Sequence, residues 1–200
     1  MRALLTGLAL LLTSTAAGQA AGDMTFRLAK PRSCVRICPV MVVAEGRITL
    51  DSYRSFDALA RALPRRVPVL LNSLGGDLIG GVRLGLALRQ HGAAVVVPRG
   101  AVCASACTYA FLGGVVRRAP SGARIGVHRF YATNRYTGER SLDYERAVTP
   151  QATAMLTSYV QSMGANPGLV GVAARVEPSA MHFLSSRELR QYRVVTGERR

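Results

Sequence analysis

The sequence predicts one α/β domain built on a mostly parallel sheet. Three observations predict it. The chain has 200 residues, enough for one domain and its core. Short apolar, β-branched runs alternate with longer amphipathic ones. Gly and Pro fall at the breaks between them. Strand, helix, strand, helix, strand, helix implies right-handed βαβ crossovers.

Taken in order, residues 23–38 read as irregular. Val40–Ala44 (VMVVA) suits a buried strand, and Glu45-Gly46 ends it. Ile48–Leu63 reads as a helix with an apolar stripe of Leu50, Phe56, Leu59 and Leu63, stopped by Pro64. Val67–Asn72 is a second buried strand, followed by a tight Gly75-Gly76 turn. Asp77 caps a helix over Leu78–His91, and Gly92 closes it. Ala94–Val97 is a third strand, Pro98–Ala101 a loop, and Cys103–Phe111 a helix start. Arg124–Phe130 is strand-like, and Thr133–Glu139 is an exposed turn. Leu142–Met163 is helical, with Pro150 a break or a new first turn. Pro167–Val176 is a short helix behind Asn166, Ser185-Ser186 cap a helix over Arg187–Tyr192, and Arg193–Arg200 is a basic tail.

Composition narrows the functional classes. Hydrophobic residues make up 49% and charged residues 18%, against disorder. Gly (20) and Pro (9) show no G-X-Y period, which excludes collagen. No apolar run reaches the roughly 18 to 20 residues of a membrane-spanning helix. Met1-Arg2, the apolar run Ala3–Leu12, and small residues at Gly18 and Ala20 read as a signal peptide over residues 1–20. The expected location is the bacterial periplasm or the medium; a buried N-terminal helix and an uncleaved signal anchor are the alternatives. Residues 21–39 form a Cys-containing segment ahead of the domain, 40–200.

The formal net charge is +15, and Lys30 is the sole lysine. The arginines are scattered and no nucleic-acid motif is present, so no nucleic-acid partner is expected. Loose attraction to the anionic envelope surface is the expected use of the charge. The four cysteines form two C-x3-C pairs, Cys34/Cys38 and Cys103/Cys107. An even count in an exported chain favours disulfides. Three connectivities are open and local pairing is the expected one; a four-Cys zinc site is the alternative. HExxH, Walker A and dinucleotide patterns are absent, and no metal or cofactor is expected.

Ser105 sits between small residues, with Cys103 and Cys107 outside them, at the predicted loop-to-helix turn. Free N–H groups at a helix start suit a developing oxyanion, and small neighbours leave Oγ accessible. Gly75-Gly76 lets a backbone N–H approach a ligand. His128 ends a strand, where a base beside a Ser turn would serve nucleophilic catalysis. The other histidines are His91 and His182.

Asn72-Ser73-Leu74-Gly75-Gly76, the Ser105 turn, Ile125-Gly126-Val127-His128, and His182-Phe183-Leu184-Ser185-Ser186 with Glu188 and Tyr192 occur in one order. This set resembles the proteolytic subunit of Clp proteases, within the Clp/crotonase superfamily, over Val40–Thr196. More narrowly, it resembles exported Clp-like bacterial proteins with a Cys-flanked serine. The resemblance implies a spiral of ββα-type units and a serine peptidase. It assigns Ser105 as nucleophile, His128 as base, and the Gly76 and Ala106 amides as oxyanion hole. The family's acid, an Asp six positions ahead of Phe183, falls on Glu177. Leu74 replaces the family's Pro. A peptide or protein substrate follows, as does a homo-oligomer packed through Leu142–Met163. Two other classes stay open: a non-catalytic binding or scaffold protein of the envelope, and crotonase-type acyl-CoA chemistry, which export disfavours. A Ser–Lys dyad has only Lys30 to use, far from every motif.

Overall fold

A computed structural model describes residues 22–30, 40–132 and 142–196. Residues 1–20, read above as a signal peptide, Cys34 and Cys38, residues 133–139, read above as a turn, and the last four residues lie outside the described residues.

The structure is α/β. Strands β1 (Thr25–Ala29), β2 (Met41–Glu45), β3 (Pro68–Asn72), β4 (Ala94–Val96) and β6 (Val116–Arg118) form a five-stranded sheet in the order β1-β2-β3-β4-β6. All neighbours in it are parallel except β1, which runs antiparallel to β2 with Thr25 opposite Glu45. A second sheet holds β5 (Val102–Ala104), β7 (Arg124–Val127) and β8 (His182–Phe183) in the order β5-β7-β8. A bridge between Ser73 and Cys103 joins the sheets just past the end of β3. Among the described residues, no helix is long and apolar enough to cross a membrane.

Helices α1 (Ser52–Ala60), α2 (Leu78–Gln90) and α3 (Ala106–Leu112) pack side by side, with α2 in the middle. The core draws Val42, Val69, Leu71 and Val95 from the sheet, Phe56 from α1, Leu84 and Leu88 from α2, and Phe111 and Leu112 from α3. Each such side chain, fully removed from water, contributes about 1.5–3 kcal/mol. Helix α4 (Leu142–Ser162) adds Leu156 and Val160, and α5 (Gly168–Ala174) adds Leu169. α4 approaches α2 closely at Gly85, where a Cβ would collide with the Tyr159 hydroxyl. That hydroxyl donates to the Tyr109 carbonyl at 2.7 Å. Burial lifts the Tyr109 phenol to about 12 and pushes Tyr159 upward as well, so both stay neutral.

The caps follow the expected chemistry. Asp77 Oδ1 accepts from the Gly80 amide at 2.7 Å. Gly92 takes φ +65°, and the Ala93 amide donates back to the Leu88 carbonyl at 2.9 Å, closing α2 in a Schellman turn. Ser185 and Glu188 form a capping box at α6 (Ser186–Gln191). The Ser185 hydroxyl at 2.6 Å, then the Ser185 amide and His182, hold the Glu188 carboxyl down to about 2, against an ordinary 4.5. The folded state therefore binds fewer protons than the unfolded one. The stabilisation is complete above 4.5 and fades as the pH falls toward 2. Glu188→Gln is expected to cost about 1 kcal/mol at neutral pH and to flatten the acid limb of the stability curve. Urea midpoints across that pH range check both; an unchanged acid limb removes Glu188 as its source.

Several elements differ from the sequence expectation. Residues 25–29 are a strand, not irregular; Phe26 packs on Phe56, with ring centroids 5.8 Å apart. α1 starts at Ser52 because Ile48, fully buried, bridges to Gly76 instead. Cys103 lies in strand β5, and the helix begins at Ala106. β6 and β8 form where no strand was expected. α4 runs on through Pro150, with Thr149 Oγ1 donating to the Glu145 carbonyl.

Candidate active site

The chain turns sharply between β5 and α3, and Ser105 is the turn. Its backbone sits at φ +56°, ψ −125°, a left-handed conformation that costs a non-glycine residue about 1–3 kcal/mol. Three contacts impose it. The Ser105 amide donates to the Gly126 carbonyl at 2.9 Å, and the Thr108 amide donates to the Ser105 carbonyl at 3.0 Å. Thr108, fully buried, also donates through Oγ1 to Gly126 at 2.7 Å. Strand, strained serine, helix is the arrangement that lifts a serine Oγ out of a sheet. Among the described residues, the Ser105 hydroxyl has no hydrogen-bond partner.

The parallel register brings His128 to the same end. Ala104 pairs with Gly126, so Ser105 comes level with Val127, and His128 follows directly. Both residues are half-buried. His128 Nδ1 lies 2.8 Å from the Arg129 carbonyl oxygen. A carbonyl only accepts, so Nδ1 carries the proton and Nε2 is left as acceptor.

The Asn72–Gly76 turn is sewn to β5. The Ser73 amide donates to the Val102 carbonyl at 2.7 Å, the Ala104 amide to the Ser73 carbonyl at 3.0 Å, and the Val102 amide to Asn72 Oδ1 at 3.2 Å. Gly75, at φ +104°, faces the serine: a Cβ there would stand 2.8 Å from Ser105 Cβ and 3.0 Å from the Ala106 nitrogen. The Ala106 nitrogen lies at this approach, Gly76 follows Gly75 directly, and neither of their amides donates to a described residue. Leu74, exposed, stands beside them.

Glu177 is not brought to His128. Its carboxylate accepts from Arg129 Nη2 at 2.8 Å and is 67% exposed. The loop that carries it docks beside the histidine, since the Arg129 amide donates to the Val176 carbonyl at 2.9 Å. The expectation that Glu177 orients His128 is thus corrected here: Arg129, the next residue along, takes the carboxylate.

Cys103 and Cys107 form a disulfide across Ser105, with both residues fully buried. These two are therefore bonded to each other and not thiolate ligands of a zinc. Among the described residues, no group of three or more His, Cys, Asp or Glu side chains is placed to hold a metal. So short a loop contributes about 2 kcal/mol at most. Cys103→Ala with Cys107→Ala is expected to lower stability by up to about that much and to slow acylation of Ser105 by a fluorophosphonate. If unfolding midpoint and labelling rate both stay put, the bond has neither role.

Thr108 and Arg129 were not among the residues expected from sequence. Thr108 looks like any residue of a first helical turn, and Arg129 is one of many arginines. Only their position next to Ser105 and His128 singles them out.

Among solved structures, similarity extends to a serine-to-alanine variant of 1510-N, a membrane-bound stomatin-specific protease. It is 22% identical, with 74% of this chain and 73% of that one covered, at TM-score 0.57. The same protease as a lysine-to-alanine variant, in complex with a substrate peptide, is 23% identical over 74% and 69%, at TM-score 0.58. A variant of ClpP1 from Listeria monocytogenes is 15% identical over 74% and 84%, at TM-score 0.56. The fold is Clp-like. No protein-family model and no curated protein matches the sequence. The Clp-like fold places the ends of β5 and β7, with Ser105 and His128, at one mouth beside the Asn72–Gly76 turn.

Proposed function

We propose that this Clp-like chain is a serine hydrolase that cleaves peptides through an acyl-enzyme. The strained backbone of Ser105 carries the reading: a left-handed serine set between a strand and a helix is the geometry that displays a nucleophile. His128 Nε2 takes the hydroxyl proton as Oγ attacks the carbonyl carbon. The Gly76 and Ala106 amides receive the developing oxyanion. His128 then returns the proton to the leaving amine, and water repeats the sequence to release the acid. A peptide is the substrate class because the fold neighbours are proteases, one of them holding a substrate peptide.

A Ser–Lys mechanism has no support here. β1 is antiparallel, so Lys30 lies beyond Ala29, at the Met41 end of β2. The Asn72–Gly76 turn lies at the opposite end of the sheet. We further propose that the chain acts after export, in the periplasm or outside the cell, and that copies associate through α4. The leader-like residues 1–20 support the first, and the resemblance to ring-forming peptidases the second.

One observation favours a non-catalytic binding role instead: Glu177 is engaged with Arg129 rather than His128. Fluorophosphonate labelling of the purified oxidised protein decides between them. An adduct mapped to Ser105 by mass spectrometry supports the hydrolase. No adduct on folded protein, in monomer and oligomer fractions alike, supports the binding role.

A further inference from the structure

Arg129 touches three parts of the site at once. Its carbonyl accepts from His128 Nδ1 at 2.8 Å, its amide holds the Val176 carbonyl at 2.9 Å, and its Nη2 holds Glu177 at 2.8 Å. The guanidinium is only partly satisfied, with Nε buried and unpartnered. The carboxylate thus lies one residue from the ring it would serve, on the side chain of the residue whose carbonyl fills that seat.

We propose that Arg129 is a positioning residue that holds Glu177 off His128, so that the carboxylate has two seats and the site is strengthened when it changes from one to the other. This rests on the hydrolase reading. With Glu177 on Arg129, the neutral Arg129 carbonyl sets the His128 tautomer but gives the imidazolium formed during attack no negative partner. With Glu177 on Nδ1, the same tautomer is kept and the imidazolium gains a carboxylate. No atom is added or lost; one hydrogen bond replaces another. The pair is shallow, since Glu177 is 67% and Arg129 36% exposed. A pair so exposed shifts an equilibrium by about fivefold at most.

The test combines Arg129→Met, which keeps the apolar stem and removes the charge, with Arg129→Met/Glu177→Gln and Arg129→Lys. Two readouts are taken: the fluorophosphonate labelling rate of Ser105 and the 15N resonance of His128 Nδ1. The expected result is that Arg129→Met labels about threefold to fivefold faster and shifts the Nδ1 resonance. Adding Glu177→Gln cancels both changes, and Arg129→Lys, which keeps a cation, stays with the wild type. An unmoved Nδ1 resonance in Arg129→Met overturns the proposal, as does a shift that survives Glu177→Gln. If Arg129→Met does not fold, Arg129→Gln takes its place. Should no variant label, wild type included, the hydrolase reading fails, and the Nδ1 resonance still decides where Glu177 sits.

Discussion

Replacing His128 with alanine is expected to slow fluorophosphonate acylation of Ser105 about a thousandfold, and replacing Ser105 with alanine is expected to abolish it. A serine hydroxyl at neutral pH is a weak nucleophile until a base takes its proton. A positioned general base is worth about 10²- to 10⁴-fold. On the proposed hydrolase reading the base is prepared before any ligand arrives, because the Arg129 carbonyl fixes the proton on Nδ1 and leaves Nε2 to accept. The two substitutions remove parts of one unit, so their effects do not add. The measurement is the second-order labelling rate, with circular dichroism to show that each variant is folded. Labelling of the His128 variant within about tenfold of wild type would mean that Ser105 is not activated by this histidine.

Arg117→Met is expected to destabilise the fold by about 3–5 kcal/mol. Arg117 is 4% exposed, yet no described carboxylate faces it. Its guanidinium donates instead to five backbone carbonyls: Leu112, Gly114, Met163, Arg193 and Val194, at 2.8–3.2 Å. Leu112 ends α3 and Met163 directly follows α4, so the cation meets the negative ends of two helix dipoles. Arg89 shares both acceptors, at 3.2 and 2.9 Å. Burial, and then the nearby Arg89, lower Arg117 to about 10, which still leaves it charged at neutral pH. Methionine fills the stem's volume but donates nothing, leaving buried acceptors unpaired. Urea unfolding measures the loss; a change below about 1 kcal/mol would mean that water replaces the donors at no cost.

How much of this was legible depends on where each signal resides. The buried strands β2, β3 and β4 and the helices α2 and α6 are legible because burial and capping are written in adjacent residues: Val42–Ala44, Asp77, Gly92, Ser185 with Glu188. β6 and β8 are not, because strands of three and two residues carry no period and form only against partners distant in sequence. The β5 residues read as helix in the sequence because Cys103-Ala104 and Ala106-Cys107 look alike locally; the left-handed turn that separates them is imposed by Gly126, supplied from β7. In the site, strand ends and glycines placed Ser105, His128 and the Asn72–Gly76 turn together. The seat of Glu177 was not readable, since it is settled by competition with an arginine brought near by tertiary packing.

The Arg117 hub also does something at the border of the sheet. β6 is its outermost strand, and an unpaired border is a template on which a second chain can add a strand. Here the C-terminal segment occupies it. The Arg117 amide donates to Thr196 Oγ1 at 3.0 Å, and the Thr196 amide donates to the Arg117 carbonyl at 3.1 Å. The remaining strand is three residues long and carries the exposed charge of Arg118. The backbone groups of Arg117 that an added strand would need are thus already taken on this side. In the five-stranded sheet, the border left for a strand of another copy is that of β1.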